Sequence, residues 1–433
     1  MKTQLTLFQV IILAIFGVFA IAGMIYFARG TYGSSGGNIG DVLIWGTLDD
    51  RAFSATIRAL AEDDQRLLHV TYQKRDERTF EQDLAEAIAS GRGPDLFILH
   101  HEFIIKDKGK IVPFPLAKIT EKEFTDTYID GAELFWDKGG ALAIPIAIDP
   151  LVLYVNRDML ATGEFAAPPK NWNDVFDIAE KVTRKSESGN VTKSAIGLGE
   201  YDNVTHAKDI LAMLIMQAGS PITVRDTDGR VRPALGANAA TVQQPTQSAL
   251  RFYTEFSNPA KSVYSWNRAL PSSIVSFADG NVALYIGFAS EFPLIRARNP
   301  NLNFAVSMMP QIQDTARAIT YARMYGFAIP NGSRNLAGAQ TVASILAGAV
   351  PSKLMAQARG TPSPRRDILS EPKDGVEAVF RNSAIVARGW LDPDPEETAD
   401  IFRVMIEGAI SGASRLSEAA QQADRAMNNL LGL

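Results

Sequence analysis

The chain has 433 residues, 46% hydrophobic and 21% charged, with a formal net charge of −5, four histidines and no cysteine. That length exceeds one ordinary core and suits two lobes. The composition excludes disulfides, thiolate metal sites and a cysteine nucleophile, and the acidic balance argues against nucleic acid as a partner.

Leu5 to Ala28 carries no charged residue. As a helix this run is roughly 36 Å long, enough for a hydrocarbon core of about 30 Å. We expect residues 1–30 to be a single transmembrane anchor, with Lys2 and the amino terminus inside. A cleaved signal is the alternative, because Ala20-Ile21-Ala22 resembles a cleavage site. Both readings export the remainder, placing the soluble part in an extracellular or periplasmic space. Residues 31–40 are rich in Gly and Ser and are expected to form a flexible linker.

Val42 to Trp45 predicts a strand, followed by turn residues and a helix through Phe53, Ile57, Leu60 and Ala61. Leu67 to Tyr72 predicts a second strand. Phe80, Leu84, Ala87 and Ile88 mark a second helix, which Ser90-Gly91 ends. Leu96 to Leu99 is a third strand. This alternation implies a parallel sheet, whose ligands lie past the carboxyl ends of the strands, near Trp45–Leu48 and His100–Phe103. Further strands are expected at 141–147, interrupted by Pro145, and at 151–156, 282–288, 304–309 and 326–329. Helices are expected after Pro168-Pro169 and over 209–218, 249–256 and most of 395–431. Residues 224–233 read as a hairpin or loop.

No Gly-x-Ser-x-Gly elbow, phosphate loop or His-Glu-x-x-His motif occurs, so no catalytic residue, cofactor or metal is assigned. His100-His101-Glu102 is the one cluster of potential metal ligands. Adjacent histidines on a strand end point apart, so a loop at a cleft rim is the preferred reading.

Several segments resemble, in order, the extracellular solute-binding proteins that include the maltose-binding proteins. They are Val42-Leu43-Ile44-Trp45, Ala89-Ser90-Gly91-Arg92-Gly93-Pro94-Asp95, the run Pro145 to Asp158 (PIAIDPLVLYVNRD), Pro168-Pro169-Lys170-Asn171-Trp172-Asn173-Asp174, Phe277-Ala278-Asp279-Gly280-Asn281-Val282-Ala283, and Gly326 to Asn335 (GFAIPNGSRN). The resemblance covers nearly all of residues 41–433. It implies an α/β, two-lobed periplasmic-binding-protein-like fold with a ligand cleft between the lobes. Lobe one would hold 41–147 and 327–361, and lobe two 150–323 and 365–433. The chain would cross near Asp149, Arg323–Gly326 and Thr361–Pro364. Family proteins usually carry a lipid-bearing cysteine or a cleaved signal, and this chain departs from that pattern.

The implied role is a non-enzymatic, monomeric receptor that delivers a small polar solute to an ABC-type permease. A carbohydrate is preferred because aromatic faces stack on sugar rings, with polyamines remaining open. An exported glycan-acting enzyme and a non-transport sensor ectodomain are the alternatives. Candidate ligand residues are Trp45 after the first strand, Asp149 and Tyr325 at crossings, Trp266 in a loop, Phe288 at a strand end and Trp390 before a helix start. Trp172 belongs to a helix start and is expected to pack.

Overall fold

A computed structural model describes residues 39–236, 244–315 and 317–433. The membrane span expected over 5–28, and most of the linker, lie outside the described residues. Among the described residues no helix is long and apolar enough to cross a membrane.

The first strand, Val42–Gly46, is flanked by parallel strands Val70–Lys74 and Leu96–His100. Helices Asp50–Ala61 and Phe80–Ala89 connect them. The second strand starts later than its apolar pattern suggests. Residues Gln65–His69 form a tight 3-10 turn instead, because the Asp64 carboxylate accepts the Arg66 N–H at 3.1 Å and holds it in place. Gly91, at φ 65°, stops the second helix as expected.

Two long strands, Ile144–Asn156 and Thr320–Pro330, run antiparallel through the centre of the molecule. The sequence pattern breaks the first at Pro145, yet the strand continues through both Pro145 and Pro150, with every residue buried. The register slips between Tyr325 and Gly326, where Gly326 meets Pro145. A proline is tolerated at such a slip because its missing N–H costs no ladder bond there. Gly326 is required by the close approach, since a Cβ would lie 2.9 Å from the Ala143 side chain.

These strands join two hydrophobic cores. One gathers Ile44, Phe53, Leu84, Phe97, Ile146, Phe327 and Val342. The other gathers Leu153, Val175, Ile196, Leu211, Phe277, Leu284 and Phe402. The chain changes core between Ile148 and Leu151, and again between Tyr321 and Ala322. Residues 369–391 serve both, since Leu369, Ala384 and Leu391 pack in the first and Phe380 and Trp390 in the second.

Local chemistry explains the remaining elements. Asn171 caps helix Trp172–Val182, and Asp174 returns the bond to the Asn171 N–H. The helix therefore opens past the proline pair, at Trp172. Residues 223–233 form a hairpin whose turn is organised by Asp226, which accepts the N–H groups of Asp228 and Arg230. Helix Ala207–Gln217 is buried along nearly its whole length.

Candidate functional site

Three elements converge between the cores. The first is the carboxyl end of strand Leu96–His100, continued by the 3-10 turn His101–Phe103. The second is the start of helix Ala207–Gln217, led by His206 in a left-handed conformation at φ 66°. The third is the crossing strand, which contributes Tyr321, Arg323 and Tyr325.

Glu102 sits at their meeting point. Its Oε1 accepts the Tyr321 hydroxyl at 2.7 Å, and its Oε2 lies 3.4 Å from His100 Nδ1. Burial alone would raise its carboxyl. The field of Lys208, with that of Arg323, outweighs burial and holds Glu102 well below the usual carboxylate range. His101 Nδ1 accepts the Met324 N–H at 3.2 Å, which makes Nδ1 the unprotonated nitrogen. Burial pushes His101 down to about 4, so the ring is neutral at pH 7. Burial likewise lowers His100, whose Nε2 has no hydrogen-bond partner.

Arg323 donates to Asp209 Oδ2 at 3.0 Å and lies 4.3 Å from the centre of the Phe288 ring. Burial raises Asp209 against the opposing pull of Arg323. Lys208 donates to Asp392 at 2.6 Å, and Thr398 also donates to that carboxylate. His206 Nε2 is 2.6 Å from Glu291, whose other oxygen accepts the Tyr285 hydroxyl at 2.7 Å. Lys106, beside the first core, pairs at 2.9 Å with Asp394, the N-cap of helix Pro395–Ser411, which packs in the second core.

Two cavities flank this network. One, of about 320 Å³, is lined by Tyr201, His206, Lys208 and Asp209. The other, of about 190 Å³, is lined by Glu77, Phe80, Glu81, His100, Phe103 and Tyr325. Glu102 and Arg323 line both. Each cavity alone is at or below the lower end of about 300–1,000 Å³ that ligand pockets occupy, and together they fall within it. The walls offer the aromatic rings of Phe80, Phe103 and Tyr325, and the charged groups of Glu102, Lys208, Asp209 and Arg323, each engaged with a partner. Groups paired in this way can still offer directed hydrogen bonds to a polar molecule.

The structure distributes the sequence-predicted residues unevenly. Tyr325 lines the smaller cavity. Phe288 ends its strand beneath the Arg323 guanidinium. Asp149 pairs across the crossing with Arg323 and accepts the Ser290 N–H at 3.0 Å, and burial raises its carboxyl. Asp149 therefore ties the crossing to the turn after Phe288. Trp45 is 5% exposed, and the Arg75 guanidinium covers its ring at 3.5 Å. Trp390 lies behind Lys208 and stacks on Phe402. Trp266 is 0% exposed within the second core, its indole N–H donating to Asn203 at 3.0 Å. Trp45, Asp149, Trp266, Phe288 and Trp390 line neither cavity. Trp172 packs in the second core and donates to Gln217, in keeping with the packing role expected of it.

Sequence reasoning missed Lys208, Asp209 and Arg323. The available signal was two adjacent charges entering the otherwise apolar helix AKDILAMLIMQ. Among the described residues no cluster of three or more ligating side chains could hold a metal ion.

A two-lobed α/β molecule with a polar cleft between its cores is the architecture of a solute receptor. The sequence profile described as bacterial extracellular solute-binding protein matches residues 57–378, and the chain belongs to that family. It is 25% identical over 150 residues to a maltotriose-binding protein of Pyrococcus abyssi (strain GE5 / Orsay), covering 33% of this chain and 30% of that protein. It is 21% identical over 275 residues to a galactooligosaccharide-binding protein of Bacillus subtilis (strain 168), covering 63% of this chain and 60% of that protein. The chain thus spans less than two thirds of these curated relatives. The crystal structure of the cyclic alpha-maltosyl-1,6-maltose binding protein from Arthrobacter globiformis superposes with a TM-score of 0.74 at 15% identity, covering 90% of this chain and 98% of that one. Its likeness shows the shared fold.

Proposed function

We propose that this protein captures a carbohydrate between its two lobes and delivers it to an ABC-type permease. The observation that carries the reading is the pair of adjoining cavities, walled by both lobes and sharing Glu102 and Arg323. Tyr325, Phe80 and Phe103 supply faces for sugar C–H groups, and Glu102, Asp209, Lys208 and Arg323 supply hydrogen bonds to hydroxyls. The maltotriose- and galactooligosaccharide-binding relatives support the same ligand class. The lobes in this reading are 41–147 with 327–361, and 150–323 with 365–433. Asp149, Arg323–Gly326 and Thr361–Pro364 act as the hinge. The chain works as a monomer without catalysis, and the apolar run 5–28 holds it at the outer face of the membrane.

A ligand touching both lobes binds the closed arrangement better than the open one, and that difference drives closure. The Lys106–Asp394 pair adds a contact between the lobes in this arrangement. The test is thermal unfolding of the full chain against malto-oligosaccharides, galacto-oligosaccharides and polyamines. A ligand at one hundred times its Kd stabilises by about 2.7 kcal/mol. Stabilisation by a saccharide, lost in Arg323→Met, supports the reading. Stabilisation by polyamines alone refutes it.

A further inference from the structure

We propose a second ligand site, at the crossing segment Gly360–Ser363, for a small neutral molecule with an apolar body and one hydrogen-bonding group. A cavity of about 310 Å³ lies there and shares no lining residue with either cleft cavity. Phe292 and Phe380 form one wall, edge to face with ring centres 6.2 Å apart. Ile368 and Val376 extend that wall, and Ala356 closes it from helix Ala349–Arg359.

The second observation is Thr361. It lines the cavity, is 5% exposed, and its Oγ1 has no hydrogen-bond partner. A buried hydroxyl without a partner is uncommon because the bond it gave up to water is not replaced. Nearby polar groups do not supply one. The Ser363 hydroxyl is engaged with Ser352 at 2.8 Å. The charges around the cavity are also matched. Lys353 pairs with Glu371 at 2.7 Å, and Arg381 with Glu377 at 2.8 Å. A charged ligand would have to displace one of these pairs, so the chemistry selects a neutral one. The apolar walls take an aromatic or alkyl body, and Thr361 takes its single polar group.

The walls come from both cores. Phe380 belongs to the second, while helix Ala349–Arg359 buries Met355 in the first. Rotation of one lobe against the other therefore reshapes the cavity, and an occupant favours one arrangement. Coupling to the cleft rests on the closure reading above, but the site itself does not.

The probe is benzyl alcohol, titrated into the full chain with saturation-transfer NMR as the readout and no saccharide present. The wild type should bind it saturably. Thr361→Val should weaken binding by about fivefold, the effect of one neutral hydrogen bond. Val376→Trp, at a half-buried wall position, should abolish binding by filling the space. Should Val376→Trp fail to fold, Thr361→Val decides alone. Absence of saturable binding by the wild type, or unchanged affinity in a folded variant, overturns the proposal. Because no saccharide is involved, its failure would leave the carbohydrate reading untouched.

Discussion

Glu102→Gln changes one charge at the junction of the two lobes and keeps the shape. In the wild type a carboxylate accepts the Tyr321 hydroxyl at 2.7 Å and faces Lys208 and Arg323. A hydrogen bond to a charged group contributes about 1.5–3 kcal/mol and a neutral one about 0.5–1.5 kcal/mol. The variant keeps the neutral bond, so the expected loss at pH 7 is about 1–2 kcal/mol. It falls short of the 3–5 kcal/mol typical of stranding a buried charge, because Lys208 retains Asp392 and Arg323 retains Asp209. The folded carboxyl titrates below its ordinary value of 4.5. Its stabilisation is therefore present above that value and is lost as pH falls through the depressed one. Urea unfolding followed by tryptophan fluorescence should show a gap between wild type and variant at pH 7 that narrows on acidification below 4.5. Equal stability at pH 7, or a gap that widens in acid, would refute the electrostatic account of the junction.

Three further outcomes follow from particular contacts. Trp266→Ala should cost about 3–5 kcal/mol in urea unfolding, as large core truncations do, with the saccharide affinity of the folded fraction unchanged. Reduced affinity at full stability would instead place Trp266 in the ligand site. Lys106→Ala removes an inter-lobe ion pair whose members are 34% and 26% exposed. Solvent limits its worth to under about 1 kcal/mol, so calorimetry should find saccharide binding about two- to fivefold weaker. An unchanged Kd would show that the pair does not favour closure. Burial, then the neighbouring Asp107 carboxylate, pushes Glu81 up to about 8. The stability contribution of this group is present below its ordinary 4.5 and is lost as pH rises through about 8. Glu81→Gln should therefore gain on the wild type between pH 5 and pH 9, and an equal difference at both values would refute the shift.

Much of the fold was legible because it follows from local pattern. Strand–helix alternation over residues 42–100 leads directly to parallel pairing, and Asn171 and Gly91 mark helix ends by side-chain and backbone chemistry alone. The crossing strands were harder. Thr320–Pro330 puts half-buried Arg323 and Tyr325 on one face with buried Tyr321, as strand alternation requires, but the strand changes core partway, so its buried residues follow no single two-residue pattern. Pro145 looked like a break because its tolerance depends on a register slip with a distant strand. The site was less legible than the fold. An aromatic residue in a loop reads the same whether it faces a cleft or a core, and Trp266 turns inward because Asn203 accepts its indole N–H. Lys208 and Asp209 resembled ordinary first-turn charges. Their role depends on Asp392 and Arg323, which arrive from more than 100 positions away.

Small-angle scattering of the full chain, free and saturated with the saccharide that thermal unfolding selects, tests capture between the lobes most directly. Packed cores resist deformation while the few crossing residues turn. A smaller radius of gyration is expected in the saturated sample, and no such change when Arg323→Met is exposed to the same saccharide. An identical profile for free and saturated wild type would contradict it.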